Sequence, residues 1–338
     1  MPTVYYIVPD YNVSSWGIGM LYCHVRLLNK IGIQAFVLHH KKPFKCSWFE
    51  SDTPIVYLDD PSLAVKERDI LVVPELSAAE AIPKGLQCRK IVFVQSSFIL
   101  LRAMERALTY DELGYERAMV IMPHMHEIVE THFGVQASVI PPVVAPYFFI
   151  DKDDLLKERK KNIVLFPKAA YKDLGHVEYD ILIQLLKRRL GVGNEGILER
   201  IGGRLGRGGG SDWKLIELEG KTHTQVAGIM KESAFFVCVN TLEGFNTTVP
   251  EAMAAGCVPV CYEAYGGRDF LEDGKNAYVF PNNYIYPLVD KLFELIDTYA
   301  EVQDELSGIR AHAYDTAARY EEHESEKALI QFFRPLLD

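Results

Sequence analysis

The sequence predicts an α/β protein with two domains, each built on a doubly wound parallel sheet. A chain of 338 residues exceeds what one compact core ordinarily holds. Short β-rich apolar runs alternate with helix-period stretches in both halves, the pattern of crossover units in a parallel sheet. A Pro-rich turn followed by charged residues, Pro146–Lys161, separates the halves like a linker. We therefore expect domains over residues 1–150 and 151–305, followed by a helical tail over 306–338.

The first half reads as a Rossmann-like domain. Its strands are expected at Val4–Val8, Ala35–Leu38, Ile70–Val73, Lys90–Val94, Val120–Ile121 and Ser138–Ile140. The first connection leads into a helix, because Leu21, Val25 and Leu28 recur at helical spacing before Gly32. Gly17 and Gly19 therefore lie at a helix start.

The second half repeats the alternation of strands and helices. Its strands are expected at Ile163–Phe166, Trp213–Leu218, Ala234–Val239, Val258–Tyr262 and Ala277–Phe280, with helices over Tyr179–Leu190, Thr224–Lys231 and a short stretch after Thr248. Ligands bind outside the carboxyl ends of such strands. The two sheets are therefore expected to place a site along one interdomain cleft.

Composition and charge exclude several classes of protein. The chain is 49% hydrophobic and 24% charged, with a formal net charge of −10, so broad attraction to nucleic acid is disfavoured. No apolar run is long enough to span a bilayer, which leaves peripheral membrane contact open. The N-terminus lacks the features of a signal peptide, and six scattered cysteines lack metal-ligand spacing. We expect a cytoplasmic protein with reduced thiols, and the sequence does not fix its oligomeric state.

Two glutamates flank a Thr-Thr-Val-Pro step in "NTLEGFNTTVPEAMAAGCVPV", residues 240–260. The apolar run before this stretch predicts a central strand, so Glu243 lies in the loop at its carboxyl end. Thr248 and Glu251 have capping-box spacing, with Pro250 in the first helical turn and Gly256 at the helix end. Free N–H groups at such a helix start favour an anion. A capping box that binds no ligand is the alternative interpretation.

The combined pattern resembles the family-4-type, or group 1, retaining nucleotide-sugar glycosyltransferases, which have the GT-B fold. Gly244-Phe245 follows the first glutamate, and Ala252-Met253-Ala254-Ala255-Gly256 follows the second. The resemblance covers about Ile163 to Phe280, including Gly266-Gly267 and "EDGKNAYVF". It is weaker in the first half, where the Gly17/Gly19 loop and "SVIPPVV" match in placement. It also implies that the C-terminal tail docks back on the first domain.

The resemblance implies a role for each matching position around this junction. Glu243 would contact hydroxyls of the donor sugar, and Glu251 would accept hydrogen bonds from the ribose of the nucleotide. The main-chain amides expected to assist at the sugar and the distal phosphate are those of Phe245, Asn246, Thr247 and Thr248.

A basic pair after the first strand of the second domain neutralises the diphosphate in this family. Here "LFPKAAYKDLG" offers Lys168 and Lys172, at a spacing that departs slightly from the family's. Lys168 follows the strand directly. Lys172 fits a solvated loop lysine equally well.

The first half is expected to hold the acceptor side. In relatives, a histidine near the end of the fourth strand often contacts the donor sugar, whereas "FVQSS" presents Gln95 here. The Gln95 amide can still bond a sugar hydroxyl, on the acceptor side or on the donor sugar. His124 and His126 lack a third ligand for a zinc site, so we expect them to line the acceptor side or to be partly buried histidines. Gly17 and Gly19 fail as a dinucleotide fingerprint, because Tyr22 replaces the third glycine. We expect them to bind the donor through a tight turn whose amides approach a phosphate, or to approach the acceptor, and a turn without a ligand is the alternative.

The resemblance implies an enzyme that transfers a sugar from a nucleotide-diphosphate sugar to an unidentified glycan, polysaccharide or lipid-linked acceptor. Retention of configuration is implied by the resemblance alone, and no metal or other cofactor is expected. A nucleotide-sugar epimerase of the same fold and a catalytically idle nucleotide-sugar binder are the alternatives. The glycine-rich segment 202–210 lacks a P-loop ending, so a surface loop is favoured over a lid on the nucleotide.

Replacing Lys168 tests the diphosphate assignment. A well-placed donor to developing charge is worth roughly 3 kcal/mol, so Lys168→Ala should slow turnover by about two orders of magnitude while the protein stays folded. Donor turnover and far-UV circular dichroism measure the two properties. A rate close to that of the unchanged protein would remove Lys168 from the site.

Overall fold

The computed structural model describes residues 2–13, 15–49, 51–80, 86–103, 109–166, 175–191 and 212–337. The chain forms two compact units, one of Met1–Val143 with Glu322–Asp338 and the other of Val144–Glu321. Each unit is built on a parallel sheet. The predicted pair of Rossmann-like α/β domains is therefore confirmed.

The first unit contains a seven-stranded sheet in the order β3-β2-β1-β4-β5-β6-β7. Its strands are β1 (Val4–Ile7), β2 (Ala35–His39), β3 (Ile55–Tyr57), β4 (Ile70–Pro74), β5 (Arg89–Val94), β6 (Arg117–Val120) and β7 (Ala137–Val139). Because β1 pairs with both β2 and β4, the strand order reverses between β1 and β4. Such a switch point is where ligands bind in open α/β sheets.

The second unit contains a five-stranded sheet in the order β12-β11-β10-β8-β9. Its strands are β8 (Lys160–Leu165), β9 (Lys214–Glu217), β10 (Ser233–Cys238), β11 (Val258–Tyr262) and β12 (Tyr278–Phe280). The strand order reverses between β8 and β10. Every residue of β10 is buried, which agrees with the continuous apolar run that predicted a central strand.

Helices cover these sheets and connect their parallel strands. In the described residues they are α1 (Trp16–Lys30), α2 (Ser97–Ala103), α3 (Pro123–Phe133), α4 (Gly175–Leu190), α5 (His223–Glu232), α6 (Thr248–Ala254), α7 (Ile285–Asp297), α8 (Gln303–Ala318) and α9 (Glu322–Leu337). Along the part of the chain that is described, none of them combines the length and the apolar character that a membrane crossing requires.

The last helix, α9, belongs to the first unit. Glu322 at its start pairs with Arg26 at 2.6 Å and with Lys30 at 2.9 Å, both on α1. The Ser325 hydroxyl donates to the Pro141 carbonyl oxygen. The helix before it, α8, lies within the second unit, so the segment 306–338 is shared between the two units.

The predicted strands all exist, and β3 is a further strand that the sequence did not predict. Its three residues, Ile55–Tyr57, are each only partly buried, and β3 is the edge of its sheet. A three-residue run shows no period, and Pro54 beside it reads as a turn signal. The strand exists because β2 offers an unpaired edge to it.

Aromatic side chains fill part of the core of the second unit around β10. Phe235 of β10 is fully buried; its ring stacks on Trp213 at 5.5 Å and meets Tyr299 edge-on at 5.9 Å. The Tyr299 hydroxyl donates to the carbonyl oxygen of Arg159 at 2.9 Å. The cluster packs the residue before β9 and the segment after α7 against β10.

Truncating Phe235 should therefore destabilise the second unit. Phe235→Ala is expected to lower the free energy of unfolding by about 3–5 kcal/mol, since it removes buried ring contacts and leaves a cavity. Leu156→Ala is the control, because Leu156 is 72% exposed and surface truncations usually cost less than about 0.5 kcal/mol. Urea unfolding measures both variants, and equal small losses would contradict this packing.

Candidate functional site

The site is centred on the loop that leaves β10 at its carboxyl end. Glu243 in this loop is partly buried, and its Oε1 accepts a hydrogen bond from Asn240 Nδ2 at 2.7 Å. Asn240 is itself only 6% exposed. A buried amide thus orients the Glu243 carboxylate, and the strand before this loop, β10, is one of the two strands that flank the reversal.

A glycine on the next connection holds this loop in place. The Gly266 N–H donates to the Glu243 carbonyl oxygen at 3.0 Å. A Cβ atom at Gly266 would lie 2.2 Å from the Gly244 carbonyl oxygen and 2.7 Å from Phe245 Cα. Main chain cannot yield as a flexible side chain does, so this approach requires glycine.

The Phe245 side chain fixes the loop by packing into the core. Its ring is 2% exposed and packs on Phe270 at 5.5 Å and on Tyr320 at 4.7 Å. The next residue, Asn246, has a φ of +60°, a region that asparagine tolerates better than most residues. Phe245 and Asn246 therefore contribute main-chain groups and a rigid turn to the site, with buried side chains.

The helix after this turn begins differently from the sequence expectation. Its N-cap is Thr247, whose side chain makes no capping hydrogen bond, so the predicted capping box of Thr248 and Glu251 is wrong. A box on Thr247 would need an acceptor side chain at the third helical position, and that position is Pro250. Pro250 does lie in the first turn, and the chain reverses at Gly256 with a φ of +77°.

Glu251 is free of a capping role, and its carboxyl group is poorly solvated. Burial raises the pKa of Glu251 from its ordinary value of 4.5 to about 8. Burial and the charge of Glu251 raise the pKa of Tyr147 in turn. Among the described residues, no cation or hydrogen-bond donor offsets the desolvation of this carboxyl group. It is a partly buried acceptor that a ligand with hydroxyl groups could satisfy.

Two predicted cations and one predicted loop fall outside the described residues. They are Lys168, Lys172 and the glycine-rich segment 202–210. The chain enters the first of these regions from β8, and Leu165 at the end of β8 pairs in register with Val237 of β10. In the chain, Lys168 thus follows a strand that neighbours the Glu243 loop.

In the first unit, the predicted residues Gly17, Gly19 and Gln95 lie at the carboxyl edge of the sheet. A Cβ atom at Gly17 would be 3.0 Å from Gln95 Oε1, so the carboxamide rests against the glycine. Gly19 faces the Trp48 ring, 3.7 Å from such a Cβ position. Among the described residues, Gln95 Oε1 is buried without a hydrogen-bond partner.

His124 stands in the first turn of α3, beside the same edge. Its Nε2 atom is 3.5 Å from the Ser97 hydroxyl oxygen. His126 is directed elsewhere, with Nε2 3.4 Å from Glu130 Oε1 in the next helical turn. Within the described ranges no group of three or more His, Cys, Asp or Glu side chains is arranged to hold a metal ion.

Sequence reasoning missed one acidic residue at this edge. Glu75 directly follows β4, is 3% exposed, and accepts a hydrogen bond from the Gln95 main-chain N–H at 3.1 Å. Burial raises the pKa of Glu75 to about 7. The available signal was an acid placed immediately after the apolar run "ILVVP", at the carboxyl end of a predicted strand, where ligands are expected.

Comparison with known proteins relates the segment around the Glu243 loop to a glycosyltransferase family. Residues 215–307, which include the Glu243 loop and α6, match the family model described as glycosyl transferases group 1. A GDP-mannose:cellobiosyl-diphosphopolyprenol alpha-mannosyltransferase of Komagataeibacter xylinus is 27% identical over 129 residues, covering 38% of this chain and 32% of the relative. The GtfA subunit of a UDP-N-acetylglucosamine–peptide N-acetylglucosaminyltransferase of Streptococcus gordonii is 26% identical over 227 residues, covering 62% and 43%.

The fold is similar over the whole chain to a solved structure. The crystal structure of a glycosyltransferase from Rickettsia africae superposes with a TM-score of 0.66 at 12% identity, covering 100% of this chain and 99% of that one. The predicted GT-B fold and the resemblance to the group 1 glycosyltransferases are confirmed. The chain spans less than half the length of the two curated relatives, 32% and 43%.

The desolvated carboxyl of Glu251 predicts a dependence of stability on pH. Its pKa is raised on folding, so stability is fully present below about pH 4.5 and is lost as pH rises through about 8. The loss is at most about 1.4 kcal/mol per pH unit. Glu251→Gln should therefore match the unchanged protein at pH 5 and exceed its stability at pH 8.

Denaturant unfolding at both pH values tests this expectation without any ligand. Glu263→Gln is the acid-to-amide control, since Glu263 is 44% exposed and pairs with Arg268 at 3.6 Å. A gain at pH 8 in both variants, or in neither, would contradict the assignment to Glu251.

Proposed function

We propose that this GT-B chain, with its group 1 glycosyltransferase segment, transfers a sugar from a nucleotide-diphosphate sugar to a hydroxyl-bearing acceptor. One observation carries the proposal. Within the matched segment, Glu243 is oriented by Asn240 in the loop at the carboxyl end of β10, and the desolvated Glu251 follows on α6. This is the pair of glutamates that the resemblance connects with the sugar and the ribose.

The nucleotide half of the donor explains the environment of Glu251. Ribose hydroxyls would supply the hydrogen-bond donors that the described residues do not supply, and such bonds favour the charged carboxylate. Binding the donor should therefore offset the desolvation that raises the pKa. The two curated relatives are named for different donors, GDP-mannose and UDP-N-acetylglucosamine, so the base and the sugar are left to experiment.

The reacting half of the donor needs stabilisation of a leaving diphosphate. Lys168 and Lys172 would supply ammonium groups, and the main-chain amides of Thr247 and Thr248 would bind the distal phosphate. In the described residues these two amides have no hydrogen-bond acceptor. Cations and fixed dipoles aimed at developing charge lower a barrier without a metal ion, which supports metal-independent transfer. Retention of configuration is proposed from the resemblance to the family.

The acceptor side is proposed in the first unit. Gln95 and His124 would contact sugar hydroxyls, beside the glycine turn of Gly17 and Gly19. The curated relatives are named for a diphosphopolyprenol-linked acceptor and for a peptide acceptor. We propose a glycan, polysaccharide or lipid-linked acceptor for this chain.

A panel of nucleotide sugars tests the proposal. A donor that binds the folded state raises its melting temperature by mass action, so the panel identifies the donor by thermal shift. The labelled donor is then incubated with the protein, and released nucleoside diphosphate is quantified with and without EDTA. Binding without diphosphate release would identify an idle binder, and conversion to an isomeric nucleotide sugar would identify an epimerase.

Glu243→Gln should uncouple binding from turnover. The carboxylate is expected to stabilise positive charge on the sugar ring, so its neutralisation should lower kcat by about a hundredfold. The donor-induced thermal shift should persist, because Glu251 and the phosphate ligands are unchanged. Glu232→Gln, on an exposed glutamate at the opposite end of β10, is the control. Unchanged kcat in Glu243→Gln would remove this carboxylate from the reaction.

A further inference from the structure

At the carboxyl edge of the first sheet, adjacent connections carry a glycine turn and three polar side chains. In spatial order β1, β4, β5 and β6 are neighbours. Gly17 follows β1, Glu75 follows β4, Gln95 follows β5, and His124 follows β6. The row therefore begins at the reversal between β1 and β4, where open α/β sheets bind their ligands.

Glu75 joins two of these connections. Its Oε1 accepts the main-chain N–H of Gln95 at 3.1 Å, and the Ser96 main-chain N–H also bonds its carboxyl group. Glu75 is 3% exposed as a residue, so these hydrogen bonds form away from water, where hydrogen bonds to charged groups are strong. Glu75 thereby fixes the start of the segment from which the side chains of Gln95 and Ser97 project.

The side chains fixed in this way have unused hydrogen-bonding capacity. Gln95 Oε1 is buried with no hydrogen-bond partner in the part of the chain that the structure describes, although its carboxamide lies against Gly17. Ser97 is 8% exposed and stands 3.5 Å from His124 Nε2. A buried acceptor without a donor costs free energy unless a ligand or water satisfies it. Sugar hydroxyls both donate and accept, so they match this set.

We propose that Glu75 is a positioning residue that holds Gln95 in place to bind a hydroxyl group of the acceptor. This inference rests on the proposed function, which it extends to a residue outside the family signature. Glu75 acts through the main chain of Gln95 and Ser96, whereas Gln95 makes the contact. Hydrogen bonds from the Gln95 and Ser96 N–H groups are stronger to an ionised carboxylate than to a neutral carboxyl group, so the hold depends on the charge of Glu75.

The ionisation of Glu75 falls in the neutral range. Burial raises its pKa to about 7, and the main-chain N–H groups of Glu75, Gln95 and Ser96 act in the opposite direction. Among the described residues, Tyr110 faces the carboxyl, because burial and the charge of Glu75 both raise the pKa of Tyr110. Tyr115 lies nearby and donates to the Ala78 carbonyl oxygen at 3.0 Å. No described cation pairs with Glu75.

The test compares Glu75→Gln, Glu75→Asp and the control Glu116→Gln, whose residue is partly exposed and pairs with Arg89 at 2.9 Å. Turnover of the donor found by the panel is measured from pH 5.5 to 9, with water as acceptor and with glycerol as a hydroxyl-bearing probe. In parallel, hydrogen exchange of the segment 95–97 reports whether the main chain is held, without requiring activity.

The unchanged protein should gain transfer rate as pH rises through about 7, as Glu75 ionises. Glu75→Gln should lower the rate about tenfold, with a flat profile over this range and an unchanged KM for the donor, as expected from loss of one hydrogen bond to a charged group. Exchange at residues 95–97 should accelerate in this variant. Glu75→Asp should restore part of the pH dependence, and Glu116→Gln should behave like the unchanged protein.

The inference is overturned if Glu75→Gln keeps the original rate and pH profile, or if its donor KM changes as much as its rate. It is also overturned if exchange at residues 95–97 is unaffected. Failure of the unchanged protein to consume any nucleotide sugar would instead refute the proposed function. In that case the exchange experiment would still decide whether Glu75 holds the segment.

Discussion

The contact between Gly266 and the main chain of the Glu243 loop is the constraint on which the second unit's site depends. On one side, the Gly266 N–H donates a hydrogen bond to the Glu243 carbonyl oxygen, at a distance that leaves no room for a Cβ atom on Gly266. On the other side, the Phe245 ring packs in the core. A loop fixed on both sides can present a carboxylate without reorganising, and such preorganisation makes electrostatic stabilisation effective.

Both units bury a carboxyl group near the candidate site, Glu75 directly after β4 and Glu251 on α6. Glu75 and Glu251 both have raised pKa values because their carboxyl groups are removed from water. The two carboxyl groups differ in the hydrogen-bond donors that offset their burial. Main-chain N–H groups of the next connection bond Glu75, whereas Glu251 has no such donors among the described residues. Glu75 thus fits a structural support for neighbouring groups, and Glu251 fits a group that is completed by a ligand.

The sequence predicted the strands and helices that depend on local hydrophobic periodicity. It did not predict features that depend on tertiary contacts. The buried strand over Val258–Tyr262 was placed correctly because an apolar run between a glycine and polar residues signals a parallel strand. Strand β3 was missed because three partly buried residues carry no period. The capping box failed because Thr247, one residue earlier than expected, ends the preceding turn, and a proline then occupies the position of the reciprocal acceptor.

Site residues follow the same division. Glu243 could be found from sequence because its place after a central strand and its distance to Glu251 are both local features. The place of Glu75 directly after a strand is also a local feature, but its role comes from the hydrogen bond with the Gln95 main-chain N–H, 20 residues later in the chain, which the sequence does not show. That bond exists only because β4 and β5 pair in parallel register, with Pro74 opposite Phe93. Parallel pairing brings every strand end to one edge, so an isolated acid after one strand meets the main chain that leaves the next.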